Sequence, residues 1–478
     1  MMRRFAPIAF VLCLAFPGST LADDPPTADA AGHWQGQVEI PGQPLGVNIH
    51  LEAADDGWRG TIDIPAQGAR NIPLGGVAVE GSAVRFAIAG VPGNPTFEGT
   101  VAGDGVTGTF SQGGATFPFT LERSAAAPEP LKRPQTPTPP FPYTVEEVTF
   151  GHGDVTLAGT LTLPKGDGPF PGAVLVSGSG PQDRDETLFD HKPFLVIADH
   201  LTRAGIAVLR YDDRGIGESG GDFATATSAD FADDALAAVH FLADRAETDP
   251  TGVGIIGHSE GGLVGPMAAA SEAGGDRVAF VVMMAGLGVS GAEILPAQTA
   301  AIAKANGANP MAATAQAAAL SRAIEVVVGS ASVEEARATL WQQAEEQIQA
   351  MRPADAPQGL NEQERAAIQA QIDGITTPWS VFFLKFDPAT ALEKVKVPVL
   401  AINGSLDTQV LPEQHLPVIE NVLTEAGNEQ VTVKTFEGLN HLFQNAESGS
   451  PMEYAEIEET LAPEVLETIT EWILALRR

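Results

Sequence analysis

The sequence predicts a small all-β antiparallel barrel or sandwich, followed by an α/β fold with a mostly parallel eight-stranded sheet and a helical cap. Two patterns predict these classes. Residues 32–123 alternate apolar and polar positions over short runs, as half-buried strands do, whereas apolar runs alternate with helix patterns from residue 144 onward. A proline-rich stretch separates the two regions, and a chain of 478 residues is long enough for at least two domains.

The first 22 residues have the pattern of a signal peptide. Two arginines precede an apolar block from Phe5 to Phe16, and Thr20-Leu21-Ala22 resembles a signal-peptidase site. The block has about a dozen residues, whereas a membrane-spanning helix needs about 20. We therefore expect cleavage after Ala22, no membrane anchor in the mature chain, and a periplasmic or extracellular location.

The single cysteine and the acidic composition narrow the possible chemistry. Cys13 lies inside the predicted signal peptide, so the mature chain is expected to contain no disulfide, thiolate metal site or cysteine nucleophile. The formal net charge is −34, and such a surface repels nucleic acid and anionic lipid. We therefore expect no nucleic-acid partner, and a neutral or cationic substrate rather than an anionic one.

Residues 32–123 are expected to form seven or eight short antiparallel strands in a meander. Asp56-Gly57, Glu80-Gly81 and Asp104-Gly105 are hairpin signals between them. His33 and His50 are interpreted as surface residues, because no cluster with metal-ligand spacing surrounds them. No metal and no cofactor are predicted for the chain. The predicted strands are residues 34–40, 45–51, 58–64, 84–88, 96–101, 106–110 and 116–121.

Residues 124–143 contain seven prolines and are predicted to be an extended linker before the α/β domain, residues 144–478. Sheets of this type place their functional sites at the carboxyl ends of the strands. Between about residues 286 and 385 alanine-rich helix patterns replace the alternation, which predicts a helical cap over the site. The predicted strands are residues 145–150, 156–163, 173–177, 207–211, 252–256, 278–284, 397–402 and 431–436, and the helices outside the cap are residues 188–204, 229–246, 260–271, 412–426 and 463–476.

Ser259 is the candidate nucleophile. The segment from Gly257 to Gly261 connects an apolar strand pattern to a helix pattern, and the glycines remove Cβ atoms that would collide where the two elements cross. A second match to the same G-x-S-x-G spacing surrounds Ser219, but it follows a loop-like segment and leads into polar residues. Ser219 is therefore interpreted as a loop serine.

A serine nucleophile needs a base, and the base needs an orienting carboxylate. His441 follows the last predicted strand on a loop that could reach Ser259, and Asp407 follows the strand before it. The order Ser259, Asp407, His441 is the chain order of the α/β-hydrolase architecture. Glu437 and Asp387 are the other candidate acids. Among the other histidines, His258 is set aside as the base because neighbouring residues of the sharp turn point in different directions, and His240 and His415 are interpreted as structural.

Two backbone amides are expected to form an oxyanion hole, those of Glu260 and Ser179. Ser179 lies in a small-residue loop after an early strand, and Gly180 is an open alternative to it. At the end of the cap, Trp379 and Phe383, with Phe382 and Phe386 beside them, could line an acyl pocket. Packing of the cap against the sheet explains each of these rings equally well.

Five motifs together resemble bacterial α/β-hydrolase carboxylesterases of the serine aminopeptidase-like branch. The resemblance covers residues 144–478 and implies an esterase with a Ser/His/Asp triad and a helical cap, acting on small acyl esters. It also implies that Asp212 and Arg214 support a turn and take no part in catalysis. The motifs are Gly178-Ser179-Gly180-Pro181-Gln182-Asp183-Arg184-Asp185-Glu186, Tyr211-Asp212-Asp213-Arg214-Gly215-Ile216-Gly217-Glu218-Ser219, Gly257-His258-Ser259-Glu260-Gly261-Gly262, Asn403-Gly404-Ser405-Leu406-Asp407 and Asn440-His441.

The predicted function is thus that of an exported serine carboxylesterase with a small-molecule ester substrate. Two other functions stay open at this point. The same triad could serve a peptidase or an aminopeptidase, and the chain could be an inert ligand-binding protein built on a hydrolase scaffold. The sequence leaves the natural ester, the role of the β-domain and the oligomeric state undetermined.

Overall fold

The computed structural model describes residues 30–476, apart from residues 41–43, 55–56, 68, 89–90, 92, 126–131 and 353–358. The predicted signal peptide, Cys13 and Asp56 of the first hairpin signal lie outside the described residues. Export and cleavage after Ala22 therefore stay predictions. The predicted fold class is confirmed, since an antiparallel barrel is followed by an α/β domain whose sheet is mostly parallel.

The N-terminal domain is a closed barrel of eight antiparallel strands. The first strand pairs with both the second and the eighth, which closes the sheet and removes its edges. The predicted barrel or sandwich is therefore a barrel. Its strands are β1 (Gly32–Val38), β2 (Leu45–Ala54), β3 (Gly57–Ile64), β4 (Ala69–Glu80), β5 (Ala83–Ile88), β6 (Thr96–Ala102), β7 (Gly105–Gln112) and β8 (Ala115–Ser124).

Strand β4 is not among the runs that sequence alternation predicts. Pro73 and the pair Gly75-Gly76 interrupt its pattern, and its pairing with β5 shifts register between Gly75 and Ala78. Such an irregularity breaks the strict alternation by which strands are found in a sequence.

The centre of the barrel is a packed aromatic core. The ring of Phe97 lies 4.9 Å from that of Phe86, 4.8 Å from that of Phe110 and 5.2 Å from that of Phe119. Trp34 is also buried, and its indole nitrogen donates to the Ala30 carbonyl at 2.9 Å. Side chains thus fill the barrel interior, as they do in other small barrels.

The second domain is built on a mixed sheet of eight strands. Its strands are β9 (Thr144–His152), β10 (Val155–Leu163), β11 (Phe170–Val176), β12 (Ala207–Tyr211), β13 (Thr248–His258), β14 (Val281–Met284), β15 (Val399–Gly404) and β16 (Val431–Phe436). The sheet order is β16-β15-β14-β13-β11-β12-β10-β9. Only β10 runs against its neighbours, so the carboxyl ends of β11, β13, β15 and β16 lie at one edge.

Helices cover both faces of this sheet, and the described residues between β14 and β15 form six more helices. The helices are α1 (Pro193–Arg203), α2 (Ser228–Ala243), α3 (Gly261–Ala270), α4 (Gly291–Ala305), α5 (Pro310–Gly329), α6 (Val333–Met351), α7 (Glu362–Ile375), α8 (Pro378–Lys385), α9 (Ala389–Leu392), α10 (Pro412–Glu425) and α11 (Pro463–Ala475). Two apolar cores result: α2 and α10 pack on one face of the sheet, and α1 and α11 pack on the other.

Helix α1 begins at Pro193, five residues later than the predicted start at Leu188. Phe189 and Asp190 have positive φ angles of 52° and 63°, and Leu188 forms a bridge with His191. Positive φ is incompatible with a right-handed helix. An apolar pattern that looks helical is therefore a turn at this point.

The cap has an apolar core of its own between α5, α6, α7 and α8, which includes Ile324, Leu340, Ile368 and Leu384. In the described part of the chain, α5 is the one helix long and apolar enough to cross a membrane, judged by length and composition. It packs against α4, α6 and α8. The expectation that the mature chain has no membrane anchor stays a prediction.

The second half of the predicted linker lies on the α/β domain. Arg133 donates to the carbonyls of Phe189 (2.9 Å), Ala455 (3.1 Å) and Ile457 (2.6 Å). Gln135 accepts from the Thr460 amide at 2.6 Å. Prolines prevent a regular element here, but side chains of the extended segment still tie together distant loops.

We expect Arg133→Ala to lower the free energy of unfolding of the α/β domain by about 1–3 kcal/mol, because three carbonyls lose a charged donor. Urea unfolding of the full chain measures this. Lys132→Ala is the matched control, since Lys132 is the exposed neighbouring cation. Equal stability of the two variants would contradict a structural role for the Arg133 contacts.

Candidate active site

Ser259 lies in a strained turn between β13 and α3. Its φ angle is 53°, a left-handed conformation that non-glycine residues rarely adopt. A Cβ atom on Gly257 would lie 1.9 Å from the Gly261 carbonyl oxygen, and one on Gly261 would lie 2.1 Å from the Val176 oxygen. The two glycines are therefore required for the close approach of strand and helix that presents the serine.

Asp407 and His441 are joined at the carboxyl ends of β15 and β16. Nδ1 of His441 lies 2.8 Å from Oδ2 of Asp407. The other carboxylate oxygen accepts from the amides of Gln409 (2.8 Å) and Val410 (2.9 Å). Both side chains are buried. The carboxylate is thus held by its own loop and directs Nε2 of His441 away from itself.

The three predicted residues meet around one pocket. Ser259 and His441 line a cavity of about 340 Å³, and Asp407 lies behind His441. Ser179, Glu260, Trp379 and Phe383 line the same cavity. The structure therefore brings together residues from the ends of four strands and from the cap.

The alternative candidates lie elsewhere or are occupied. Glu437 and Asp387 are exposed, and neither is the partner of His441. His415 is buried in α10, where its Nδ1 accepts from the Gly288 amide at 2.9 Å. The hydroxyl of Ser219 donates to the Asp212 carbonyl at 2.7 Å and accepts from the Ala158 amide at 2.9 Å.

The Asp212 and Arg214 motif is also structural. Asp212 accepts from the Arg184 guanidinium at 2.7 Å, while Arg214 donates to Asp234 at 2.7 and 2.8 Å. These ion pairs fix the turn after β12. Neither residue lines the pocket that contains Ser259.

Glu186 and His258 form a buried pair in the wall of the pocket, which sequence reasoning did not identify. Nδ1 of His258 lies 2.9 Å from Oε1 of Glu186, and Nε2 lies 3.0 Å from the His441 carbonyl oxygen. A carboxylate and a carbonyl are both acceptors, so the imidazole donates to both when it is doubly protonated. Burial would lower the pKa of His258, but the Glu186 carboxylate and these hydrogen bonds outweigh it and raise the pKa.

The Glu186 carboxylate also holds the loop after β11. Its Oε1 accepts from the Gly178 amide at 2.7 Å. The Gly178 amide is therefore already bonded to the carboxylate. The amide of the next residue, Ser179, stays the predicted donor to an oxyanion. Sequence analysis could not find this contact, because Glu186 is eight residues beyond Gly178 and has a positive φ of 51°.

The side chain of Glu260 has a role that differs from that of its amide. Its buried carboxylate accepts from Ser228 Oγ at 2.6 Å and from the Trp379 indole nitrogen at 2.8 Å, and it also bonds to Ser179. Burial raises the pKa of this carboxyl, although the three donors oppose the shift. Glu260 thus links the turn of Ser259 to the cap.

Asp213 is a second buried carboxyl behind the pocket. Its oxygens accept from Ser177 Oγ at 2.8 Å and from the Gln182 amide at 3.0 Å. Burial raises the pKa of Asp213 to about 7, with contributions from the nearby Glu186 and Glu260 carboxylates. Its protonation therefore changes near neutral pH.

Among the described residues, no group of three or more His, Cys, Asp or Glu side chains could hold a metal ion. The expectations of no metal and no cofactor stay predictions.

Comparisons with known proteins identify the family of the chain. A model of the alpha/beta hydrolase family matches residues 173–456, more than half of the chain. Esterase EstD of Thermotoga maritima is 29% identical over 339 residues, which are 70% of this chain and 70% of that protein.

Two solved structures have lower similarity. Est1E from Butyrivibrio proteoclasticus, bound to ferulic acid, is 16% identical with a TM-score of 0.40, and the match covers 69% of this chain and 99% of Est1E. The Pyrococcus furiosus esterase Pf2001 is 15% identical with a TM-score of 0.41, and the match covers 70% and 91% of the two chains.

We expect Asp213→Asn to flatten the pH dependence of stability between about pH 4 and pH 7. The raised folded-state pKa means that the folded state binds a proton the unfolded state releases in this range, so the contribution of Asp213 to stability is lost as pH rises toward 7. One such proton changes the unfolding free energy by at most about 1.4 kcal/mol per pH unit. Asparagine removes this titration.

Urea unfolding at several pH values measures the slope for the parent protein and for Asp213→Asn. Asp154→Asn is the control, because Asp154 is an exposed aspartate of the same domain. Parallel curves for the parent and Asp213→Asn would show that Asp213 does not titrate in this range.

Proposed function

Because the chain belongs to the alpha/beta hydrolase family, we propose that it is a serine carboxylesterase acting on small-molecule esters through an acyl-enzyme intermediate. One observation carries the proposal: the His441 imidazole, 2.8 Å from Asp407, lines the same pocket as the strained Ser259. The similarity to a relative named as an esterase supports ester substrates.

Acylation begins when Ser259 Oγ attacks the carbonyl carbon of the ester. His441 Nε2 takes the hydroxyl proton, and the Asp407 carboxylate stabilises the imidazolium that forms. The tetrahedral intermediate collapses with cleavage of the bond between the carbonyl carbon and the alkoxy oxygen. His441 returns its proton to that oxygen, so the alcohol leaves neutral and the acyl group stays on Ser259.

Deacylation repeats these steps with water. His441 removes a proton from the water, the hydroxyl attacks the acyl carbon, and the proton returns to Ser259 Oγ as the carboxylic acid leaves. The net reaction consumes one ester and one water. In both halves, the amides of Glu260 and Ser179 donate to the oxyanion, because the Gly178 amide is already bonded to Glu186.

The acidic residues of the pocket favour an esterase over an aminopeptidase. An aminopeptidase must bind the substrate ammonium group, for which a carboxylate of the pocket is the expected partner. Two described acidic residues line the pocket, Glu186 and Glu260. Glu186 is paired with His258, and Glu260 accepts from Ser228 and Trp379, so both are occupied within the protein.

The proposal includes export to the periplasm or the medium. It is supported by the arginines, the apolar block and the small-residue site within the first 22 residues.

We expect Ser259→Ala to lower kcat for nitrophenyl acetate by about a thousandfold or more, because the acyl-enzyme cannot form. Steady-state assays of the parent and the variant with aryl esters and with aminoacyl arylamides measure this and separate the two activities. Labelling with a fluorophosphonate probe, followed by peptide mapping, locates the nucleophile.

The parent is expected to hydrolyse esters, prefer them to arylamides, and carry the label on Ser259. Much faster arylamide turnover would favour the peptidase alternative. A folded parent that neither reacts with the probe nor hydrolyses esters would favour the inert ligand-binding alternative.

We expect Glu186→Gln to lower kcat by about tenfold with a smaller change in KM. Glutamine keeps an acceptor for Gly178 but removes the charge that keeps His258 protonated, so a neutral imidazole loses one of its two hydrogen bonds. Displacement of the His441 main chain then misaligns the base, and small displacements in a site have large effects on rate.

Steady-state kinetics on nitrophenyl acetate measure this effect. Glu437→Gln is the matched control, since Glu437 is an exposed carboxylate on the loop that leads to His441. Equal kcat values for the two variants and the parent would contradict the positioning role of Glu186.

A further inference from the structure

A second cavity adjoins the pocket that contains Ser259. It has a volume of about 690 Å³ and lies between α5, α6, α7 and α8 of the cap, and we call it the cap chamber. Leu295, Trp379 and Phe383 line both the cap chamber and the pocket of about 340 Å³. The larger apolar space is therefore adjacent to the reaction site, and these three side chains lie between the two cavities.

The lining of the cap chamber suits a hydrocarbon. Among the described residues that line it, Arg322 is the only charged one, and this residue is exposed. None of the described residues that line it is acidic. The apolar wall is formed mainly by Leu320, Leu340, Ile368, Ile372, Ile375 and Leu384.

The boundary between the two cavities is held in place. The rings of Trp379 and Phe383 stack with centroids 4.9 Å apart and an interplanar angle of 16°. The Trp379 indole donates to the Glu260 carboxylate at 2.8 Å, next to the nucleophile in sequence. Phe383 packs on Gly291, where a Cβ atom would lie 2.3 Å from its ring.

We propose that the cap chamber binds the hydrocarbon tail of a long acyl group, which extends from the carbonyl at Ser259 past Trp379 and Phe383. The proposal rests on the proposed esterase function and specifies its substrate class. We assign the chamber to the acyl group and not to the alcohol of the ester. The acyl group stays bonded to Ser259 through both halves of the reaction, whereas the alcohol must leave after the first. A chamber that holds the acyl tail stabilises both transition states.

The first test is the acyl-chain profile of the full-length protein on nitrophenyl esters from acetate to dodecanoate. We expect kcat/KM to rise with chain length, by up to about fourfold for each methylene that becomes fully buried. A profile that is highest at acetate or butyrate and falls with longer acyl groups would overturn the proposal.

The second test fills the chamber. Ala344 of α6 lines it and is half-buried, so Ala344→Phe is expected to lower kcat/KM for decanoate by about tenfold or more and to leave acetate within about twofold. Ala338→Phe is the matched control, because it places the same ring at an exposed position of the same helix. Ala323→Phe fills the chamber from α5 and replaces Ala344→Phe if that variant does not fold.

The outcomes separate this inference from the proposed function. Suppose that the parent hydrolyses nitrophenyl acetate, and that the chamber-filling variants lower kcat/KM equally for nitrophenyl acetate and nitrophenyl decanoate. The chamber inference then fails while the esterase proposal stands. If filling the chamber lowers kcat/KM for alkyl acetates with long alcohol chains, but not for nitrophenyl esters with long acyl chains, the chamber binds the alcohol and the acyl assignment is wrong. If the parent hydrolyses no ester, the proposed function fails first.

Discussion

The site depends on a buried ion pair between His258 and Glu186. Both side chains are less than one tenth exposed, at 7% and 6%, and a buried charge is costly unless it is paired and hydrogen-bonded. Here the imidazolium has an acceptor at each nitrogen, Glu186 on one side and the His441 carbonyl on the other. The same Glu186 oxygen holds the Gly178 amide. One pair thus fixes three loops from the ends of β13, β11 and β16 relative to each other.

This arrangement is possible because of the order of the parallel strands. Strand β13 has β11 on one side and β14 on the other, and β15 and β16 follow in the same direction, so their loops emerge at one edge. The turn at Ser259 needs glycine at 257 and 261, since any side chain there would overlap backbone atoms. The strained φ of Ser259 is therefore imposed by the packing of strand on helix, and His258 of the ion pair is the residue before it.

The sequence predicted the features that follow from local pattern. The eight sheet strands, the helix after Ser259 and the order of Ser259, Asp407 and His441 all follow from periodicity and turn chemistry. The missed features depend on contacts between distant segments or on interrupted patterns. Glu186 contacts His258, which is 72 positions later in the sequence, and Arg133 contacts Ile457. The glycines of β4 interrupt the alternation of apolar and polar residues by which a strand is predicted. A carboxylate in a sequence does not indicate which distant donor it will meet, so only the folded chain identifies these partners.

The Glu260 carboxylate connects the turn of Ser259 to the cap. Its backbone belongs to the nucleophile turn, whereas its side chain binds Ser228 of α2 and Trp379 of α8. The cap lies between β14 and β15, outside the sheet, and its core of apolar side chains is separate from the two sheet cores. The contact between Trp379 and Glu260 therefore fixes the position of α8 relative to the turn of Ser259. The edge of the sheet and the His258–Glu186 pair therefore position the candidate site residues, and the cap meets this edge through the contact of Trp379 with Glu260 and through Phe383, which packs in a sheet core.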